Sequence, residues 1–234
     1  MRYSHDVPET TRRTKSHLRV PKPQPEQRLL VRMMQCGNAL FARVYHQVIV
    51  RAPARLPRTG PAILVCNHTS GLDPMLVQSA LRRLVVWMMA KEYYDIQPLH
   101  MIFKAVEAIP VDRSGREMAA TRAALRALAD GRILGIFPEG KIEPTRDLLP
   151  FQSGVALMAI KSKVPVYPVY LDGSQRGKEM AEAYLFRNQV VLAFGPEVRF
   201  ERGSTSHDAL DLATRSIEEA VRALKDRYSI GKPQ

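Results

Sequence analysis

The apolar run Ala62-Ile63-Leu64-Val65-Cys66 passes directly into Asn67-His68-Thr69-Ser70-Gly71-Leu72-Asp73-Pro74. A short apolar run rich in β-branched residues predicts a buried strand. A strand ending in a polar turn delivers its next side chains to the edge of a sheet, where clefts form. His68 and Asp73 lie five positions apart, and on one unbroken helix that spacing turns two side chains about 140° away from each other. If the pair works together, the backbone between them must turn. Gly71 permits the turn, and Pro74 suits the first position of a following helix. Two readings are open from these residues alone. His68 is a general base whose ring Asp73 holds in one tautomer, or Asp73 caps the helix and His68 is an ordinary loop histidine.

Apolar strand candidates recur at 62–66, 84–90, 105–111, 133–137, 165–171 and 189–195, with helical patterns between several of them. Residues 115–130 are the clearest helix. Ser114 and Glu117 form a capping box, and Gly131 stands where the helix should end. A last helix is expected over 206–228, with Leu210, Ile217, Val221 and Leu224 on its apolar side. Alternating strands and helices predict an α/β fold, a mostly parallel central sheet covered by helices. The apolar stretch Tyr93 to Phe103 is expected to pack in the core, with the lining of an apolar groove as the alternative.

A second block, Ile133-Leu134-Gly135-Ile136-Phe137, is again a buried strand, followed by Pro138-Glu139-Gly140-Lys141. Between the two blocks lies Ala108-Ile109-Pro110-Val111-Asp112-Arg113, and beyond them Val164-Pro165-Val166-Tyr167-Pro168-Val169. Four blocks in this order resemble the glycerolipid acyltransferases of the lysophosphatidic acid acyltransferase type, and residues 53 to 200 can be laid on that family. The resemblance implies that His68 deprotonates the acceptor hydroxyl and that Asp73 orients it. The donor would be acyl-coenzyme A or acyl carrier protein, with no tightly bound cofactor. Glu139 and Gly140 would shape the acceptor site, and Arg113 would help hold a phosphate. The family often continues its Phe-Pro-Glu-Gly block with threonine, arginine and serine, where this chain has Lys141, Ile142 and Glu143. Lys141 could replace the missing arginine as a point charge, without its bidentate fork. Cys66 is expected to be a small buried apolar residue rather than a nucleophile. No Gly-x-Ser-x-Gly elbow and no metal-ligand cluster is present in the sequence.

Charge is distributed unevenly. The formal net charge is +12, and residues 1–58 hold twelve Lys and Arg against three acidic residues. Residues 1–25 read as a basic flexible tail, with Pro21, Pro23 and Pro25 forming a stiff spacer. Residues 26–52 read as an amphipathic helical extension. Leu29, Leu30, Met33, Met34, Leu40, Phe41, Val44, Tyr45 and Val48 lie on one side of the wheel, and Arg28, Arg32, Arg43 and His46 on the other. Residues 53–234 are then the acyltransferase domain. The alternatives for the helix are packing on its own domain or lying flat on an anionic bilayer. Arg32 and Arg43 leave too short a charge-free stretch for a span of about 20 residues. No nucleic-acid-binding motif accompanies the basic end. With no secretory signal, the expected location is the cytoplasmic face of a membrane.

These features predict an enzyme that esterifies a lysophospholipid, with 1-acylglycerol-3-phosphate as the leading acceptor. A lyso-ornithine lipid or another lysolipid is the alternative that Ile142 motivates. The rival from another class is a membrane-binding scaffold without catalysis.

Overall fold

The computed structural model describes residues 28–112, 117–143, 147–174, 180–201 and 203–230. The tail, Arg113 and Ser114 of the capping box therefore lie outside the described residues. The chain begins with helix α1 (Leu29–Val44), strand β1 (Ile49–Ala52), β2 (Ala62–Cys66), α2 (Asp73–Ser79) and β3 (Val85–Ala90). It continues through α3 (Lys91–Tyr94), α4 (Leu99–Ala105), β4 (Ile109–Val111), α5 (Glu117–Ala129) and β5 (Ile133–Ile136). It closes with α6 (Gly154–Ser162), β6 (Val166–Asp172), α7 (Met180–Leu185), β7 (Val191–Phe194) and α8 (His207–Tyr228).

The strands form one seven-stranded sheet in the order β1-β7-β6-β2-β5-β3-β4. Neighbours are parallel except β6 and β7. The fold is therefore α/β with a mostly parallel sheet, as the alternation of elements predicts. β2 is buried at every position because helices cover both faces of the sheet. Its side chains alternate between the two layers. Ile63 and Val65 join the cluster formed with Ala124, Leu128, Val155 and Ile217 from α5, α6 and α8. Leu64 and Cys66 join the opposite cluster with Leu72, Leu76 and Val77 of the α2 region. β2 is the central strand, so its C-terminal end, flanked by those of β5 and β6, sits in the middle of the sheet edge.

Four expectations need correction. The N-terminal helix does not fill residues 26–52. It ends at Val44, Gln47 turns with φ of 46°, and Ile49–Ala52 pairs with β7. The β-branched Val48-Ile49-Val50 favours strand over helix, and the edge of β7 supplies a ladder. His46 is not on a solvated face but fully buried, while Leu29, Leu30, Met33, Leu40 and Val44 are exposed. α1 instead buries Val31 and Ala42 and lies on α2. The candidate strand 105–111 shrinks to Ile109–Val111, because α4 runs through Ala105 and Glu107 turns with φ of 59°. Finally, Tyr93 to Phe103 forms α3 and α4, and neither helix has a buried residue, so this stretch does not pack in the core.

Candidate active site

The polar turn after β2 brings His68 and Asp73 together. His68 Nδ1 lies 3.0 Å from Asp73 Oδ2. The same oxygen accepts the backbone N–H of Thr69 at 2.6 Å and of Ser70 at 2.8 Å. Those two amides make Oδ2 an acceptor, so Nδ1 carries the proton and donates it, leaving the Nε2 lone pair to take a proton from another group. Asp73 is wholly buried at the start of α2, and the His68 side chain is 17 % exposed. The capping reading is not what forms: Leu72 is the N-cap, Asp73 is the first residue of α2, and its carboxylate bonds amides before the helix rather than within it. One carboxylate organises the turn and orients the imidazole.

The backbone of His68 is held from both sides by the segment after β5. Its N–H donates to Glu139 Oε1 at 3.0 Å, and its carbonyl accepts from the Glu143 N–H at 2.8 Å. Glu139 Oε2 accepts the Leu149 N–H at 3.2 Å. Burial pushes the Glu139 carboxyl up to about 7, against the opposing pull of these two amides. Glu139 is buried and braces the two loops through both carboxyl oxygens. Asn67 extends the sheet past the end of β2. Its amide donates to the Leu171 carbonyl at 2.9 Å and accepts the Leu171 N–H at 2.8 Å, in place of a strand residue.

The imidazole also rests on a stack of rings. His68 stacks on Phe137 with centroids 4.1 Å apart, and Phe137 stacks on Trp87 at 4.7 Å. Trp87 and Gly135 are register partners across β3 and β5. A Cβ at Gly135 would lie 2.4 Å from Trp87 Cε3, so the glycine makes room for the indole. Gly140 turns with φ of 71°, and a Cβ there would meet Gln152 Nε2 at 2.3 Å. The positive φ is what favours glycine there, since the Gln152 amide is the far end of an exposed, flexible side chain that can move aside.

The other candidates separate clearly. Lys141 is exposed and close in sequence to the brace, and Ile142 is half-buried. Arg113 is outside the described residues. Burial pushes the Cys66 thiol well up, and the Asp73 and Glu139 carboxylates push it further, so it is held as a neutral thiol. Ser70 is buried, and its hydroxyl accepts the Leu72 N–H. The sequence reading missed the roles of Asn67, Trp87, Phe137 and Gly135. The adjacency of Phe137 to Pro138 and the glycine inside an apolar strand were the available signals. Thr69 Oγ1 and Ser174 Oγ, 2.6 Å apart and buried, tie the turn to the end of β6; no local pattern announces that contact.

Comparison with known proteins matches this architecture. The chain is 28% identical over 148 residues to the 1-acyl-sn-glycerol-3-phosphate acyltransferase of Bacillus subtilis, covering 62% of this chain and 73% of that protein. It is 31% identical over 123 residues to the human 1-acyl-sn-glycerol-3-phosphate acyltransferase beta, covering 51% of this chain and 44% of that one. It thus spans less than half of the human protein. The crystal structure of the 1-acyl-sn-glycerophosphate acyltransferase from Thermotoga maritima superposes with a TM-score of 0.66 at 19% identity, covering 87% of this chain and 82% of that one, a likeness of fold. The family model described as Acyltransferase matches residues 47–172, which hold β2 with its His68–Asp73 turn, β5 with its Glu139 brace, and β6. On that match and this architecture, the chain belongs to the Acyltransferase family.

Proposed function

We propose that this protein transfers an acyl chain from a thioester donor to the free hydroxyl of 1-acylglycerol-3-phosphate, giving phosphatidic acid. The observation that carries the reading is the 3.0 Å contact between His68 Nδ1 and Asp73 Oδ2 at the open edge of the sheet. His68 Nε2 removes the hydroxyl proton as the oxygen attacks the thioester carbonyl. The C–S bond then breaks, and the imidazolium returns the proton to the departing thiolate. General base catalysis of this kind supplies about 10²–10⁴ in rate, roughly 3–5 kcal/mol of barrier. Acyl-coenzyme A and acyl carrier protein both present such a thioester. The names of the matched relatives support the acceptor.

The protein acts at the surface of an anionic bilayer in this reading. Among the described residues no helix is long and apolar enough to cross a membrane. α1 exposes Leu29, Met33, Leu40 and Val44, and the sequence from Gln27 to Leu72 has no acidic residue and six arginines. Each basic residue near an anionic leaflet contributes about 1 kcal/mol. An apolar stripe with cationic flanks fits the cytoplasmic boundary of such a membrane.

Ile142 favours a second acceptor class, since it stands where relatives of this type often carry arginine. The test is direct. Purified protein is given labelled acyl-coenzyme A with lysophosphatidic acid and a lyso-ornithine lipid in competition, and products are read by mass spectrometry. Preferential phosphatidic acid formation that His68→Ala abolishes supports the proposal. Preferential acylation of the other lipid reassigns the acceptor, and no transfer to either favours a scaffold.

A further inference from the structure

We propose that the tip of α7, Leu185-Phe186-Arg187, is a second bilayer-inserting element that acts with α1. The proposal rests on the interfacial reading of α1 given above. Leu185 is 72% exposed and Phe186 is 54% exposed, yet their backbone is firmly held. Tyr45 Oη donates to the Leu185 carbonyl at 2.8 Å, and the Asn188 side-chain amide donates to the Phe186 carbonyl at 3.2 Å. The same amide group lies 2.7 Å from Nδ1 of the buried His46. Ile49 N–H then donates to the Val190 carbonyl at 2.8 Å, where β1 meets β7. Polar contacts from α1, its following turn and β1 fix a segment whose large apolar side chains face water.

The tip also continues the exposed stripe of α1. Phe41 stacks on Tyr45 at 5.2 Å and on Tyr184 at 6.0 Å. These half-buried rings carry apolar surface from Leu40 and Val44 across to Leu185. The arginines of α1 occupy the other edge of its stripe, at roughly 300–320° on a wheel that starts at Leu29. Arg187 adds a cation on the α7 side, 6.0 Å from the centroid of the Tyr45 ring.

Charge selects the occupant. The tail 1–25 has six Lys and Arg against two acidic residues, and the stretch from Gln27 to Leu72 that carries α1 and β1 has six arginines and no acidic residue, so like charge disfavours the tail as occupant. A second copy would oppose these arginines with its own. An anionic bilayer offers both an apolar boundary and negative headgroups. The second contact point has a geometric consequence. One helix lying flat can still roll about its axis, whereas a helix and a rigid lateral prong fix the roll and so aim the site.

The test is co-sedimentation of the full chain with phosphatidylcholine vesicles, with and without phosphatidylglycerol. Leu185→Ser with Phe186→Ser is compared with wild type, and Leu29→Ser with Met33→Ser probes α1. The α7 variant is expected to bind anionic vesicles about tenfold more weakly or worse, with unchanged thermal unfolding and unchanged turnover of detergent-dispersed acceptor. Wild type that ignores anionic vesicles overturns the interfacial reading of α1 itself. Wild type that binds while the α7 variant binds equally well overturns only the present inference. A vesicle-free dimer that dissociates in the α7 variant assigns the surface to a second copy and also overturns it. If the double variant fails to fold, Phe186→Cys in a Cys36→Ser background carries an environment-sensitive fluorophore. A blue shift on anionic vesicles supports insertion, and an unchanged spectrum rejects it.

Discussion

Gly135→Ala tests whether the ring stack seats the proposed base. The added methyl would lie 2.4 Å from Trp87 Cε3 and 2.6 Å from Cδ2 and Cζ3. Carbon atoms pack at about 3.5–4.0 Å, so the indole must retreat by about 1 Å or more. It has little room, being 8% exposed and carrying Phe137 at 4.7 Å. Overpacking of this kind costs about 1–3 kcal/mol, which lowers the unfolding midpoint of a chain this size by roughly 2–10 °C. The larger effect is on chemistry. Phe137 carries His68 at 4.1 Å, so the displacement reaches the imidazole. Misplacing a catalytic group by about 1 Å costs about 10²-fold in rate. Thermal unfolding and acyl transfer measured on the same preparation separate the two effects. Adding Trp87→Leu removes the clash and should recover stability without recovering the rate, because the platform under Phe137 is then gone. A Gly135→Ala protein with wild-type unfolding and wild-type turnover would refute the argument that the stack positions the base.

Four further outcomes follow from the site. His68→Ala should abolish transfer while circular dichroism and unfolding remain close to wild type; persisting turnover removes His68 from the reaction. Asp73→Asn should lower turnover by about 10²–10⁴, since the imidazole loses its anionic partner; a loss in kcat of less than about tenfold argues against orientation by Asp73. Asn67→Leu leaves the Leu171 N–H and carbonyl without their buried partners, at a cost of about 2–4 kcal/mol read by denaturant unfolding. Glu139 gives a pH signature. Its carboxyl is raised from 4.5 to about 7 by burial, so the folded state holds a proton that the unfolded state releases. Its contribution is full below about 4.5 and is lost as pH rises through about 7, with a span on the order of 3 kcal/mol. Glu139→Gln should flatten that slope, and an unchanged slope assigns the dependence to other groups.

The legible parts of this protein were those written in local pattern. β2, β3, β5, β6 and β7 lie where the apolar runs placed them, and α8 begins where Ser206 caps it by accepting the Ala209 N–H at 3.4 Å. The turn between His68 and Asp73 was legible in Gly71 and Pro74, while its closing on a 3.0 Å contact was one of two open readings. What stayed hidden depends on distant partners. β1 shows four mostly exposed residues, and only the ladder from β7 makes it a strand. His46 continues a helical wheel in the sequence, but Asn188 and the rings of Phe41 and Tyr45 enclose it in the fold. Glu139 was placed in the right neighbourhood, but its bracing contacts were hidden. Its spacing from His68 said nothing about two loop amides converging on one carboxylate.

The pairing of β1 with β7 also imposes an order of events during synthesis. Ile49 meets Val191, and among the described residues β7 is the only strand that β1 neighbours. Strand β1 therefore has no ladder until residues 142 positions later have left the ribosome, and His46 waits equally long for Asn188. At about 5–20 residues per second, that interval is roughly seven to thirty seconds. Throughout it, the leading helix can make its local hydrogen bonds while the seam that anchors its far end is still untranslated.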